Sequence, residues 1–247
     1  MKNYIAVIAI PLLICSSGSW AEPTVTPYRP SVASSTVVSA PGYFEIEAGV
    51  QQVENKDSSG QFNAPWLLKY GINDHWGVSA GGDAFLSVED TAGNKINGPG
   101  NSLVSTRYLH PLNDAHIVGI EATVTIPTAK EPPGSGKSDY MINGIYGVNM
   151  GSFHADFNLS YIRLGGNSQS MNGWATAVSH PVGEHGGLTV EFSGVNNRAA
   201  PDTAQFLVAY AYLVSRRLAV DIGAARGLND NPFKGSVFTG FTYLFDR

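Results

Sequence analysis

From residue 42 to residue 247, hydrophobic positions alternate with small or polar ones with a period of two. Around residue 155, for example, Phe153, Ala155 and Phe157 alternate with His154 and Asp156. Successive side chains of a β-strand point to opposite faces, so each such segment has one apolar and one polar face. No helical period interrupts the alternation. The pattern predicts an all-β protein.

Turn-forming residues divide this region into twelve segments of about ten residues each, the length of a membrane-spanning strand. The segments span 42–53, 61–72, 75–86, 99–110, 115–126, 138–149, 152–164, 172–180, 186–195, 203–213, 216–226 and 235–246. In segment 75–86, one face carries Trp76, Val78, Ala80, Ala84 and Leu86, and the other carries Ser79 and Asp83. An even number of strands brings both ends of a closed barrel to one side. We therefore predict a transmembrane antiparallel up-and-down β-barrel of 12 strands.

The connections between segments alternate between tight turns and longer polar loops. The tight turns lie at 71–75, 110–115, 150–152, 181–185 and 214–216, and the longer loops at 54–60, 87–98, 127–137, 165–171, 196–202 and 227–234. Outer-membrane barrels have short periplasmic turns and longer outer loops, whereas a soluble β-sandwich has no reason to alternate in this way. Aromatic residues near segment ends, such as Tyr70, Trp76 and Tyr243, suit the interfacial girdles of such barrels. These features favour a location of the protein in the cell outer membrane.

The first 41 residues differ in character from the barrel region at 42–247. Residues 1–21 predict a cleaved signal peptide, because Lys2 precedes an apolar run that ends at Cys15 and Ser19-Trp20-Ala21 forms a small-x-small cleavage site. Cys15 is the single cysteine, so a chain cleaved at this site can form no disulfide. Residues 22–41 are rich in Pro, Ser, Thr and Val without a sustained period. They predict a periplasmic lead-in, either poorly ordered or lying partly in the barrel mouth.

Composition and motifs predict neither nucleic-acid binding nor catalysis. The formal net charge of −5 provides no basic patch for a nucleic acid. The G-x-S-x-G match at 77–81 falls inside a predicted strand, where no nucleophile elbow can form. The P-loop-like segment 134–138 has Glu131 where the motif requires glycine. The six histidines include no pair with metalloprotease spacing. We expect no catalytic residues, no metal and no cofactor.

Three segments resemble the family of outer-membrane proteins associated with the MetA pathway of phenol degradation. Residues 67–76 (Leu-Leu-Lys-Tyr-Gly-Ile-Asn-Asp-His-Trp) resemble the Tyr-Gly strand-turn of that family. Residues 119–128 resemble its strand that ends in a Pro-Thr loop, and residues 238–243 resemble its closing strand. The likeness spans roughly 42–247. It implies passage of small molecules, including aromatic or hydrophobic ones, across the outer membrane.

Alternation also assigns candidate residues to the interior of the barrel. The residues expected to line a solute path are Lys69, Asp83, Arg107, Glu121, Asn143, His154, Asp156, Glu191 and Asp221. Acidic interior residues outnumber basic ones, which predicts a weak preference for cations. Twelve strands lie between the filled eight-stranded barrels and the open porins, so a narrow or partly plugged channel is expected.

These observations predict an outer-membrane channel or transporter for passive uptake of small solutes. The expected partners are outer-membrane lipid and lipopolysaccharide, the barrel-assembly machinery and the solute, with no nucleic acid. Two alternatives remain at this point: a barrel enzyme acting on lipid or lipopolysaccharide, and a sealed structural barrel. The enzyme would place a Ser-His pair on the outer face, whereas alternation places Ser79, His154 and Ser160 inside. The sequence leaves open whether residues 22–41 plug the lumen.

Overall fold

The computed structural model describes residues 22–57, 59–129, 136–166, 169–197 and 202–246. The predicted signal peptide and part of the P-loop-like segment lie outside these residues. No helix in the described part of the chain is long and apolar enough to cross a membrane. The strands are β1 (Phe44–Asn55), β2 (Gly60–Gly71), β3 (Trp76–Glu89), β4 (Lys95–Gly98), β5 (Ser102–Pro111), β6 (His116–Ile126), β7 (Asp139–Met150), β8 (Phe153–Arg163), β9 (Ser170–Val182), β10 (Gly186–Asn197), β11 (Thr203–Ser215), β12 (Leu218–Gly227) and β13 (Phe233–Leu244).

Twelve of these strands form a closed antiparallel barrel. Each strand pairs with the next along the chain, except that β3 pairs with β5 past the short β4, and β1 closes the circle by pairing with β13. The closing register sets Glu45 opposite Leu244 and Gly49 opposite Gly240. The predicted fold class and strand number are confirmed, and each predicted segment overlaps one barrel strand.

The barrel has two unlike ends. At the turn end, short connections at 72–75, 112–115, 151–152, 183–185 and 216–217 join neighbouring strands. Two of these turns are closed by an asparagine side chain in the same way. Asn73 Oδ1 accepts from the backbone N–H groups of His75 and Trp76. Asn113 Oδ1 accepts from those of Ala115 and His116. Asparagine favours such turns because its side chain replaces a backbone acceptor. The opposite end, with the remaining connections, is the loop end.

The predicted loop at 87–98 contains the unpredicted strand β4. Lys95–Gly98 pairs with the last residues of β3 and forms a hairpin beyond the barrel wall. Asp90 Oδ1 closes its turn by accepting from the backbone N–H groups of Ala92 and Asn94, each at 2.9 Å. The alternation pattern did not predict this strand because the strand is short and polar.

A β-bulge in β3 changes one expected orientation. The register with β2 shifts between Ala64 and Pro65, so that Pro65 opposes Asp83 while Ala64 opposes Phe85. Ala84 is the extra residue, and an extra residue reverses the facing of every position after it. Phe85 is therefore exposed on the outside, whereas Leu86 opposes the inward-facing Asn63. The expectation that Leu86 faces outward was wrong.

The barrel is apolar outside and polar inside. Large apolar side chains cover the outer surface, including Leu159, Ile222 and Val237, which are 75%, 62% and 60% exposed. The buried side chains are mostly polar or charged, and Lys69 and Glu191 are 1% and 0% exposed. A soluble protein shows the opposite arrangement. Alternation along each strand produces this inversion directly.

Residues 22–41, termed the inner segment, run inside the barrel without forming a named strand. The segment starts at the turn end, where Val25 N–H donates to Arg216 O, and its midpoint lies deeper, where Ala33 packs on Ala175 and Ala177. It returns to the turn end, where Gly42 N–H donates to Gly71 O, and then enters β1. Its path is a hairpin-like excursion with both ends at the turn end.

Candidate functional site

A buried lysine holds the first half of the inner segment. Lys69 Nζ lies 2.8 Å from Glu45 Oε2 and 2.6 Å from Glu47 Oε1, and it donates to Thr26 O at 2.6 Å. The register places Glu45 directly opposite Lys69 on the neighbouring strand. Burial of a charged side chain is tolerable only when partners satisfy it. Here the carboxylates of Glu45 and Glu47 on the wall, and the backbone carbonyl of Thr26 in the inner segment, satisfy the buried charge.

A buried arginine holds the second half of the segment. Arg107 opposes Glu121 across β5 and β6 and forms a buried ion pair with it. Its Nη1 donates to Ser35 O at 3.1 Å and to Val37 O at 3.2 Å. Arg107 and Lys69 therefore each neutralise an acidic side chain of the barrel and bind backbone carbonyls of the inner segment.

Tyr28 lies between these two cations. Its ring centroid is 3.9 Å from Lys69 Nζ and 4.1 Å from Arg107 Cζ. Cations over an aromatic face are attracted by its quadrupole, and more strongly when they are desolvated. Tyr28 thus ties the inner segment to both basic residues at once.

Carboxylates on the barrel wall accept backbone N–H groups of the inner segment. Glu45 accepts from Thr26 at 3.0 Å and Glu47 from Tyr28 at 2.6 Å. Glu191 accepts from Val32 and Ala33 at 2.8 and 3.0 Å, and Asp156 accepts from Thr36 at 3.0 Å. These charge-assisted bonds replace the strand pairing that the inner segment lacks.

The remaining predicted residues of this half of the lumen also surround the inner segment. His154 Nε2 lies 3.1 Å from Asp156 Oδ1 and 3.1 Å from Thr36 Oγ1, and its Nδ1 lies 2.7 Å from Asn149 Oδ1. The side-chain amides of Asn143 and Asn158 lie 3.1 Å apart, and Asn158 Nδ2 donates to Ser34 O at 3.0 Å.

Asp221 binds the one arginine of the inner segment. Arg29 Nε and Nη2 donate to the two carboxylate oxygens of Asp221 at 3.1 and 3.2 Å. The carboxylate is almost completely buried, whereas the guanidinium is partly open to the loop-end half of the lumen. Arg29 therefore lies at the boundary between the occupied and the open parts of the interior.

Two cavities lie beyond this boundary. The larger, about 460 Å³, is lined by Pro65, Leu67, Asp83 and Leu103, with Tyr28 and Arg29 at its floor. The smaller, about 180 Å³, is lined by residues that include Leu207 and Phe238, and it again reaches Arg29. Both cavities end on the inner segment. The loop-end half thus contains cavities with both apolar and polar walls, whereas the turn-end half is occupied and charged.

All the sequence-predicted interior residues lie on the inner face, but the structure divides them between the two halves. Asp83 alone among them lines one of the two cavities, and it accepts a hydrogen bond from Asn63 Nδ2 at 3.0 Å. The others contact the inner segment, with Asn143 linked to it through Asn158. Whether a solute passes along these residues stays a prediction.

Sequence reasoning did not single out Glu45 and Glu47. Each alternates with apolar neighbours inside a predicted strand, so the period-of-two signal could have identified them. Their partner could not be identified in this way, because residues 22–41 have no periodic pattern that specifies a binding geometry.

Comparison with known proteins establishes the fold. No family model and no curated protein matches the chain. An outer-membrane channel from Pseudomonas putida F1 is similar with a TM-score of 0.70 and 13% identity, covering 87% of this chain and 100% of that one. The KdgM porin gives a TM-score of 0.62 at 9% identity, covering 82% of this chain and 99% of that one. The CymD monoaromatic hydrocarbon channel gives 0.51 at 10% identity, covering 84% and 89%.

The fold and the interior therefore define a class. The chain is a closed, 12-stranded antiparallel β-barrel, similar in fold to outer-membrane channels and porins, whose lumen contains residues 22–41.

Proposed function

We propose that the protein is an outer-membrane channel for passive uptake of small solutes and that its inner segment closes the channel at the periplasmic end. The observation that carries this proposal is the inner segment itself. A stretch that belongs to no strand is bound inside a closed barrel, mainly by side chains of the wall, so its release would leave the pairing between the barrel strands intact.

The outer surface supports membrane insertion. Exposed apolar side chains such as Val104, Ile120, Leu159 and Ile222 point away from the lumen. An aqueous solvent disfavours so large an apolar surface, whereas lipid matches it. Expected partners are therefore outer-membrane lipid and lipopolysaccharide. The closing strand β13, with Phe241 and Tyr243 on its outer face, suits recognition by the barrel-assembly machinery.

The unequal ends support an orientation. Short turns are typical of the periplasmic side and longer connections of the outside. In this orientation the cavities open towards the exterior, and the inner segment enters and leaves at the periplasmic side. A solute would enter the loop-end half freely and would stop at Arg29 until the inner segment moved.

The apolar lining of the larger cavity supports solutes with hydrophobic or aromatic groups. Pro65, Leu67 and Leu103 form an apolar wall beside Asp83. The resemblance of residues 67–76, 119–128 and 238–243 to the phenol-degradation family supports the same class, and a channel described as transporting monoaromatic hydrocarbons shares the fold. Most small pockets combine apolar walls with a few polar groups in this way.

Single-channel conductance of refolded protein in planar bilayers tests the proposal. The comparison is between residues 22–247 and residues 42–247, each first shown to be folded by heat-modifiable gel mobility. We expect rare, small openings with the inner segment present and larger, steadier currents without it. Silence from both folded proteins would reject the open channel and favour a sealed structural barrel.

A further inference from the structure

The contact between Arg29 and the barrel wall has the features of a small-molecule binding site. The guanidinium and the Asp221 carboxylate form two parallel hydrogen bonds, at 3.1 and 3.2 Å. This fork-to-fork geometry distinguishes a guanidinium from an ammonium, which can offer only a point charge. The Asp221 side chain is 4% exposed, so it depends on a cation at this position.

Two paired glycines form a flat surface under the guanidinium. Gly49 of β1 lies directly opposite Gly240 of β13. A Cβ on Gly49 would lie 2.8 Å from Arg29 Nη2, and a Cβ on Gly240 would lie 2.7 Å from Arg29 Nε. Both distances are too short for unbonded atoms. The absence of these two side chains therefore creates the space that the planar group occupies.

An aromatic ring borders the same space. The Phe238 ring centroid lies 6.0 Å from Arg29 Cζ. The ring extends over Gly223, where a Cβ would lie 2.4 Å from Phe238 Cζ. A carboxylate, a flat floor and an aromatic neighbour are together the features that favour a guanidinium over other cations.

The guanidinium that fills the site borders the cavities of the loop-end half. Arg29 lines both the larger and the smaller cavity, and Phe238 lines the smaller. Asp221, Gly49 and Gly240 line neither of these cavities, so a molecule there contacts the guanidinium first and reaches the carboxylate once Arg29 has moved.

We propose that Asp221, Gly49, Gly240 and Phe238 form a binding site for small molecules that carry a guanidinium group. These molecules compete with Arg29 for the site. Occupancy by such a molecule removes the one ion pair between an inner-segment side chain and Asp221, and thereby loosens the inner segment. The consequence for opening rests on the proposed channel function, whereas the binding itself does not.

Chemical rescue in the full chain tests the binding. Arg29→Ala vacates the site, and methylguanidinium should then refill it. We expect methylguanidinium to raise the thermal midpoint of Arg29→Ala in detergent, measured by heat-modifiable mobility, on the order of 3 °C at tenfold excess over its dissociation constant. Methylammonium at the same concentration should raise it by less than half as much, because it cannot form the paired hydrogen bonds.

Two matched variants make the result specific. Arg29→Ala combined with Asp221→Asn should lose the rescue, and Arg29→Ala combined with Phe238→Leu, which keeps an apolar side chain, should weaken it. Equal rescue by methylammonium, equal rescue without Asp221, or no rescue of Arg29→Ala would each overturn the proposal. The thermal readout needs no current, so a barrel that is silent in bilayers but is rescued would reject the channel and retain the site.

Discussion

The two halves of the lumen are built from the same alternating strands, but one is filled by the inner segment and the other contains cavities. In the turn-end half, Lys69 and Arg107 pair with carboxylates of the wall and also donate to backbone carbonyls of the inner segment. In the loop-end half, one cavity is lined by residues that include Pro65, Leu67 and Leu103, and a second by residues that include Leu207 and Phe238. Polar side chains lining a lumen therefore do not by themselves indicate a water-filled path, because they can equally form the binding surface for a segment of the same chain.

The largest expected effect comes from removing the cation that organises the turn-end half. Lys69→Met leaves Glu45 and Glu47 buried without their shared partner, so it should destabilise the protein by about 3–5 kcal/mol. Urea unfolding in detergent micelles, followed by tryptophan fluorescence, measures the change. The control is Lys234→Met, which removes the exposed pair with Glu54 and should cost less than about 1 kcal/mol. Equal losses in both variants would contradict the distinction between the halves.

A smaller effect should follow from weakening the inner segment without leaving a buried charge unpaired. Tyr28→Leu removes the ring between Lys69 and Arg107, and loss of about 1–2 kcal/mol of cation–π attraction should raise the open probability about tenfold. Single-channel recording in planar bilayers measures it. Tyr28→Phe keeps the ring and should behave like the unaltered protein. A Phe variant that opened as often as Leu would show that the ring contacts do not hold the segment.

In the loop-end half, a charge change should alter selectivity but not stability. Asp83→Asn removes the one predicted acidic side chain that lines the larger cavity, while the amide can still accept from Asn63. We expect a reduced preference for cations, visible as a shifted reversal potential under a salt gradient, with the unfolding midpoint unchanged. Asp57→Asn, in the exposed connection after β1, should shift neither quantity. An unchanged reversal potential in Asp83→Asn would place the selectivity elsewhere.

The smallest expected effect lies outside both halves, in the β3–β4 hairpin. Hydrogen bonds from the Asn94 side chain and backbone hold the pKa of Asp90 below its ordinary value of 3.8. A carboxyl whose pKa is lowered by folding stabilises the hairpin above pH 3.8 and loses this contribution as the pH falls through the lowered pKa. NMR titration of the Asp90 carboxyl checks this. In Asn94→Ala, which keeps the backbone bond, the pKa should move back towards 3.8, and a pKa that did not move would exclude the Asn94 side chain as a cause.

Alternation alone was sufficient to predict the barrel strands, because each wall residue has only two directions in which to point. Alternation gave a wrong or missing assignment where a strand is irregular or too short to show the pattern. The bulge at Ala84 reversed Leu86, because the alternation of polar and apolar residues does not by itself mark an extra residue. Strand β4 was missed because it is short and polar.

The site was half predictable. Lys69, Arg107 and Glu191 were placed inside by their spacing, but their partners belong to a segment whose conformation is set by the wall and not by its own sequence. The contacts of Thr26, Tyr28 and Val32 with the wall join residues far apart in the chain through backbone N–H groups. Every residue except proline has the same backbone N–H group, so the identity of Thr26, Tyr28 or Val32 does not reveal this recognition.

The continuity of the inner segment with β1 determines how the segment is released and how it rebinds. Its last residue, Pro41, bridges to Gly71 only a few positions before β1 begins at Phe44. A released segment therefore stays at the mouth of its own barrel, at an effective concentration that for short tethers is on the order of millimolar. Rebinding is intramolecular and independent of protein concentration. Under the proposed function, each barrel therefore returns to the closed state by itself, and an opening ligand must outcompete a segment that stays tethered to the barrel.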